Sequence, residues 1–226
     1  MNKTLSMLVL TAAVATVVPA AAQDAKPGDP KAGSMKAAMC IGCHNIVGYQ
    51  GSFPEVYKVP KIAGQNAKYI ASALNAYRKG DRKHPTMRSI ATTLNDQDIA
   101  DVAAFYENLG KDAAATPAKV DSKPPADVEK LLAKANCASC HGADYNSPID
   151  PTYPKLAGQY ADYLYAALKS YQVDKNPHIG RNNAIMAGMA RQYTHPELKQ
   201  LASYFASLPG TIKTVPESPF RGPNQF

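Results

Sequence analysis

The chain has 226 residues, of which 45% are apolar and 19% charged; that is too apolar for a disordered chain and too polar for a protein with many membrane spans. Four cysteines are too few for a disulfide-dense scaffold. The formal net charge of +7 points to an acidic partner of some kind, and at about 150 residues per domain the length admits one or two domains.

Residues 1–22 read as an export signal. Lys3 gives a short positive start, and the apolar run from Leu5 to Val18 is broken only by Ser6, Thr11 and Thr16. Pro19-Ala20-Ala21-Ala22 then supplies the small residues of an A-x-A site, which places cleavage before Gln23. The run is about 14 residues, whereas a spanning helix needs about 20; an uncleaved anchor is the weaker alternative. No other long apolar run follows, so the mature chain is expected not to be an integral membrane protein. An exported chain of this kind would lie outside the cytoplasm, in an oxidising compartment in which the four cysteines need a role.

The remainder repeats itself once. Cys40-Ile41-Gly42-Cys43-His44 returns as Cys137-Ala138-Ser139-Cys140-His141, and Pro60-Lys61-Ile62-Ala63-Gly64-Gln65 as Pro154-Lys155-Leu156-Ala157-Gly158-Gln159. Tyr69, Ile70, Ala73, Leu74 and Tyr77 match Tyr163, Leu164, Ala167, Leu168 and Tyr171. Met87 falls opposite Met186, and Ile99, Val102, Ala103, Tyr106 and Leu109 match Leu198, Leu201, Ala202, Phe205 and Leu208. Two copies are too few for a solenoid, so each must bury its own core. The divisions follow: a first domain over 23–109, a linker over 110–126, a second domain over 127–210 and a Pro-rich tail over 211–226, expected to lie on the surface without regular structure.

In chain order, each copy predicts a helix ending in the cysteine motif, a loop, a middle helix, a second loop holding the methionine, and a closing helix. The Tyr69–Tyr77 and Ile99–Leu109 sets both place an apolar stripe on one helix face. Asp29-Pro30 is an N-terminal start, Thr194 with Glu197 a capping box, and Asn95 with Asp98 a looser one. Gly110 and Pro209-Gly210 end the closing helices. No strand alternation is evident, so the fold class is all-α.

C-x-x-C-H marks covalent haem c attachment. Two thiols one helical turn apart can each add to a haem vinyl group, and the next histidine then lies under the iron. Cys40, Cys43 and His44 would hold one haem, and Cys137, Cys140 and His141 the other. A redox dithiol usually accompanies a βαβ pattern, which is missing. A zinc site shared by both motifs would not need a whole helical domain around each. Haem also supplies the large apolar surface that two small copies without tryptophan would otherwise lack.

The sixth ligand decides reactivity, because His/Met ligation closes the iron. Met87 and Met186 are the candidates. Met189 competes in the second copy, although it aligns with the apolar Ile90. Met35 and Met39 precede the first motif and read as core. His84 and His178 lie before the methionines and would be ligands only in a bis-histidine arrangement, while His195 reads as exposed. Arg78, Lys79, Arg82, Lys83 and Arg88 surround Met87, either as a solvated loop or as a basic rim that steers an acidic partner.

Taken together, these motifs resemble the dihaem cytochromes c4 over most of residues 29–210. The resemblance implies two tandem class I cytochrome c domains, each wrapped around one covalently bound haem c and facing the other across a pseudo-two-fold. It implies His44 and His141 as proximal ligands, Met87 and Met186 as distal ligands, and Pro60 and Pro154 carbonyls that hold the histidine tautomers. It also implies an electron carrier in the periplasm, with redox protein partners such as an acidic docking surface on a membrane oxidase or dehydrogenase. Nucleic acid and a small-molecule substrate have no support. The alternatives are the cytochrome subunit of a dehydrogenase of the flavocytochrome c sulfide dehydrogenase type and, with less support, a dihaem peroxidase. The Tyr171–Met186 segment is longer than Tyr77–Met87, which sets the second distal loop apart from the first.

Overall fold

The computed structural model describes residues 26–109, 111 and 123–216. The expected export signal, Gly110, most of the linker and residues 217–226 of the tail lie outside the described residues.

Helix α1 (Pro30–Lys36) begins where the Asp29 side chain accepts the Lys31 N–H, with proline in the first turn. Helix α2 (Ala38–His44) carries the first cysteine motif. The sequence predicts one helix here; the chain instead turns at fully buried Ala37 and restarts. In the second half α6 (Ala126–Lys134) and α7 (Ala138–His141) are likewise separate. Their break contains Asn136 at φ 46, a left-handed position that asparagine tolerates. Two strands, β1 (Gln50–Gly51) and β2 (Tyr57–Lys58), pair antiparallel. They correct the expectation of no strand, because two residues are too few for alternation to register.

Helix α3 (Ala67–Lys79) buries Ile70 and Leu74 one turn apart and stops at Gly80, whose φ of 85 favours glycine. Its counterpart is α8 (Ala161–Gln172). The closing helices α5 (Asp96–Asn108) and α10 (His195–Ser207) each begin with a complete capping box, Asn95–Asp98 and Thr194–Glu197. Both methionines stand on short helices rather than loops, α4 (Pro85–Thr92) and α9 (Ala184–Ala190). The local reason is an N-cap in each, as the His84 and Asn183 side chains accept the Met87 and Met186 N–H groups.

Each half has its own core. Ile99, Val102, Ala103 and Tyr106 of α5 and Leu198, Leu201, Ala202 and Phe205 of α10 are buried at the same helical spacing. The halves differ in what crosses that helix. Helix α1 approaches so closely at Gly33 that a Cβ there would lie 2.1 Å from the Asp101 carbonyl oxygen. Helix α6 instead buries Val128, Leu131 and Leu132. Met35 and Met39 are not core: they are 66% and 53% exposed, Met35 because α1 turns Gly33 rather than its methionine to α5.

The two Pro-Lys-x-Ala-Gly-Gln segments bind each other. The Lys61 N–H donates to Gln159 Oε1 at 3.0 Å, and the Lys155 N–H to Gln65 Oε1 at 3.0 Å. Gln159 Nε2 returns to the Lys61 carbonyl at 2.9 Å, and Gln65 Nε2 to the Lys155 carbonyl at 3.1 Å. Lys61 Nζ reaches the Gly158 carbonyl at 2.6 Å, and Lys155 Nζ the Gly64 carbonyl at 2.8 Å. Such reciprocity is an isologous contact, here within one chain. The ribbon adds two asymmetric ion pairs, Lys58–Asp162 at 3.1 Å and Glu55–Lys169 at 2.6 Å. The first described residues of the tail are not a free surface segment either. Ile212 is 4% exposed, the Lys213 N–H donates to the Ala63 carbonyl at 2.9 Å, and Val215 packs against the first core. Val215 thereby buries apolar surface against the first half.

Candidate functional site

The first cysteine motif occupies the end of α2, where Cys40 and Cys43 are one turn apart and His44 is the last helical residue. Its cap, Asn45, is 5% exposed and accepts a 3.3 Å hydrogen bond from the Tyr106 hydroxyl, which ties the motif to α5. Residues 137–141 repeat the motif around α7, with His141 8% exposed.

Both histidines are oriented the same way. His44 Nδ1 lies 2.9 Å from the Pro60 carbonyl oxygen, and His141 Nδ1 3.0 Å from that of Pro154. A carbonyl only accepts, so each Nδ1 carries the proton and donates it, leaving the Nε2 lone pair free. Burial pushes both imidazoles below their ordinary value, against the opposing pull of the proline carbonyl bonds. Both are therefore held neutral, the form that ligates a metal. Burial likewise pushes the Cys40 thiol up to about 11 and the Cys137 thiol upward. All four cysteines are unpaired. Thiols raised in this way lack the depressed pKa of a reactive redox dithiol. Among the described residues no group of three or more His, Cys, Asp or Glu side chains is placed to hold a metal ion, so a zinc site shared between the motifs has no geometry.

Met87 borders the same core as Cys40 and Ile41. Met186 is also partly buried, and both halves place a buried alanine four residues further on, Ala91 and Ala190. Met189 is 37% exposed, with its sulfur near Gln192 Nε2 at 3.8 Å. His84 is occupied as an N-cap, its Nδ1 accepting the Met87 N–H at 3.3 Å, and its equivalent is Asn183 rather than His178. His178 and His195 are exposed, so no bis-histidine pair is set up in parallel.

The basic cluster around Met87 divides. Arg78 is held by Asp96 at 2.5 Å and by Asn75. Lys83 bonds the Asn176 carbonyl, and Arg82 the Tyr69 hydroxyl at 3.1 Å. Only Lys79 and Arg88 of the five are exposed, so the cluster is mainly internal structure. Sequence reasoning missed that Arg82 has a partner in Arg181. The signal was present, because each stands five residues before its methionine.

Each half therefore offers a neutral imidazole with a free Nε2 beside two unpaired thiols on one helical turn, the donor set that a covalent haem requires. The cytochrome c family model matches residues 32–110 and again 125–209. The chain belongs to the cytochrome c family. It is 28% identical over 215 residues to cytochrome c4 of Pseudomonas aeruginosa, with 92% of this chain and 100% of that protein covered. It is also 28% identical to a thiosulfate dehydrogenase electron acceptor of Stutzerimonas stutzeri, covering 87% of this chain and 92% of that protein. The crystal structure of reduced recombinant cytochrome c4 from Pseudomonas stutzeri superposes with a TM-score of 0.60 at 25% identity, covering 80% of this chain and 99% of that one. The chain is accordingly a dihaem cytochrome of the c4 kind, with two tandem cytochrome c domains and two covalently bound haem c groups. It carries electrons and is not an enzyme.

Proposed function

We propose that the protein is a periplasmic shuttle of single electrons between respiratory-chain donors and a terminal oxidase or reductase, with His44 and Met87 holding one iron and His141 and Met186 the other. The observation that carries this reading is the matched pair of Nδ1-to-carbonyl hydrogen bonds at Pro60 and Pro154, which present both Nε2 atoms in the ligating tautomer. Cys40, Cys43, Cys137 and Cys140 form the thioether links. The bound haems supply reversible one-electron exchange between ferrous and ferric iron. Everything else is positioning by this chain. The His84 and Asn183 caps set the first turn of each methionine helix, and Met186 is favoured over Met189 because it shares its cap position and burial with Met87. Among the described residues no helix is long and apolar enough to cross a membrane.

A carbon monoxide difference spectrum of the reduced, matured protein tests the reading. Two closed irons give no carbon monoxide complex. A complex formed at one haem of intact protein shows an open position, and the carrier reading then fails for that half.

The likeness to a thiosulfate dehydrogenase electron acceptor favours a second reading of the donor. In that reading the dihaem chain takes its electrons from a dehydrogenase that oxidises thiosulfate, an associated redox protein rather than a flavin subunit. Rapid mixing of the oxidised cytochrome with such a dehydrogenase and thiosulfate should reduce its haems within the turnover time of the dehydrogenase. Reduction no faster than with thiosulfate alone refutes it.

A further inference from the structure

The methionine helices of the two halves begin differently. Both α4 and α9 open on a side chain that accepts the methionine N–H, His84 for Met87 at 3.3 Å and Asn183 for Met186 at 2.9 Å. Asparagine is among the residues preferred at that position, with Asp, Ser and Thr; histidine is not. The histidine cap also has the longer bond, at the far end of the hydrogen-bond range. A cap of that kind holds only while the ring itself is held in place.

Two neighbours hold it. The Phe53 ring meets the imidazole edge-on, with centroids 5.7 Å apart and planes at 90°, and the Tyr77 ring does so at 6.5 Å and 77°. Both separations fall in the range of favourable edge-to-face pairs. With Nδ1 accepting from Met87, the imidazole is the neutral form with its proton on Nε2. Tyr77 has a counterpart in Tyr171, but Asn183 offers that residue no ring to meet. Phe53 stands in the turn between β1 and β2, which form the only sheet among the described residues. The second half has a shorter connection there: Pro60 lies 16 positions after His44, and Pro154 only 13 after His141.

We propose that His84 is a positioning residue for Met87: its Nδ1 fixes the helix that carries the thioether, and the ribbon, through Phe53, fixes His84. The first distal methionine is thereby braced from outside its own helix, whereas the second depends on a local asparagine cap. His84 touches neither iron nor partner; it acts through Met87. The proposal rests on the reading of Met87 as the first distal ligand.

The test uses the haem-loaded full chain and ferric protein titrated with cyanide, followed at each haem by its methionine-to-iron absorption band and its midpoint potential. Cyanide competes with the methionine, so its apparent affinity rises with the fraction of time the thioether is off the iron. His84→Ala should raise that affinity about fivefold at the first haem and lower that haem's potential, with the second unchanged. His84→Asn, which installs the residue of the second half, should recover most of the loss. Phe53→Leu should raise the affinity about twofold to tenfold in the wild-type background. In the His84→Asn background the same substitution should have no effect, because the ring it touches is gone. If His84→Ala fails to mature, the Phe53→Leu and His84→Asn cycle decides. An unchanged first haem in His84→Ala, or an equal change at both haems, overturns the proposal. So does a Phe53→Leu effect of the same size in both backgrounds, which would show that the ribbon acts by another route. Met87→Ala keeps the two readings apart. A first-haem methionine band that survives it removes Met87 as ligand and the proposal with it, whereas loss of the band beside a silent His84→Ala overturns the proposal alone.

Discussion

Gln65→Leu measures how much of the fold depends on the reciprocal contact between the domains. The side chain is 3% exposed, and leucine keeps its approximate volume, so no cavity opens. Three backbone groups lose their partner: the Lys155 N–H at 3.0 Å, the Asn66 N–H at 3.0 Å and the Lys155 carbonyl at 3.1 Å. An orphaned buried polar group costs about 1–3 kcal/mol. These groups are only partly buried, so water reaches them after substitution and the lower end applies, for a loss of about 3 kcal/mol. At about 2–4 °C per kcal/mol for a chain of this size, the melting temperature falls by about 6–12 °C. Urea unfolding of the haem-loaded protein gives the free energy directly. Gln159→Leu serves as an internal control, because it orphans the Lys61 N–H, the Tyr160 N–H and the Lys61 carbonyl at 3.0, 3.0 and 2.9 Å. The two variants should therefore lose equal stability. A loss below about 1 kcal/mol in both, or a difference between them larger than that, refutes the reasoning.

Other consequences are open to direct measurement. Met87→Ala and Met186→Ala should each open one haem to carbon monoxide and lower that haem's potential alone, read by difference spectra and redox titration; a variant that leaves both haems unchanged removes that methionine from the ligand set. Ile212→Ala should cost about 2–5 kcal/mol, because the tail side chain is 4% exposed; unchanged urea unfolding would show that the tail does not dock. The Lys36–Asp98–Asp101 network gives a pH signature. Asp98 is held below its ordinary value first by the Lys36 hydrogen bond, and burial of Asp101 is outweighed by the Asp29 N–H, Lys36 and Gln97 bonds. Depressed carboxylates stabilise the fold above the unfolded value of 3.8, and that stability is lost as pH falls through the folded values. The melting-temperature gap between wild type and Asp101→Asn should therefore be constant above about pH 5 and close on acidification. A gap that widens in acid contradicts the assignment. Lys36 is raised first by its Asp98 bond, so its share is present below 10.5 and is lost only as pH rises above that value.

The sequence by itself determined the two copies, the cysteine motifs, the register of the buried faces on α5 and α10, and both capping boxes. Each of these is written within a few residues: a helical period, a cap three residues ahead of its partner, or two thiols one turn apart. It also contained the pairing of Met87 with Met186, since their helices match without gaps. Short-range signals failed at particular places. The two-residue strands fell below the length at which alternation can be read, and Ala37 breaks a helix that its propensity would continue. The reading of Met35 as core took no account of Gly33, which lets α1 meet α5 by its other face. Tertiary structure alone decided that Lys61 and Gln65 bind their own repeats, that the tail returns to Ala63, and that Arg82 meets Arg181. Those contacts join residues far apart in the chain. Their partners are mostly backbone groups, which every sequence carries at every position and whose direction only the folded chain sets.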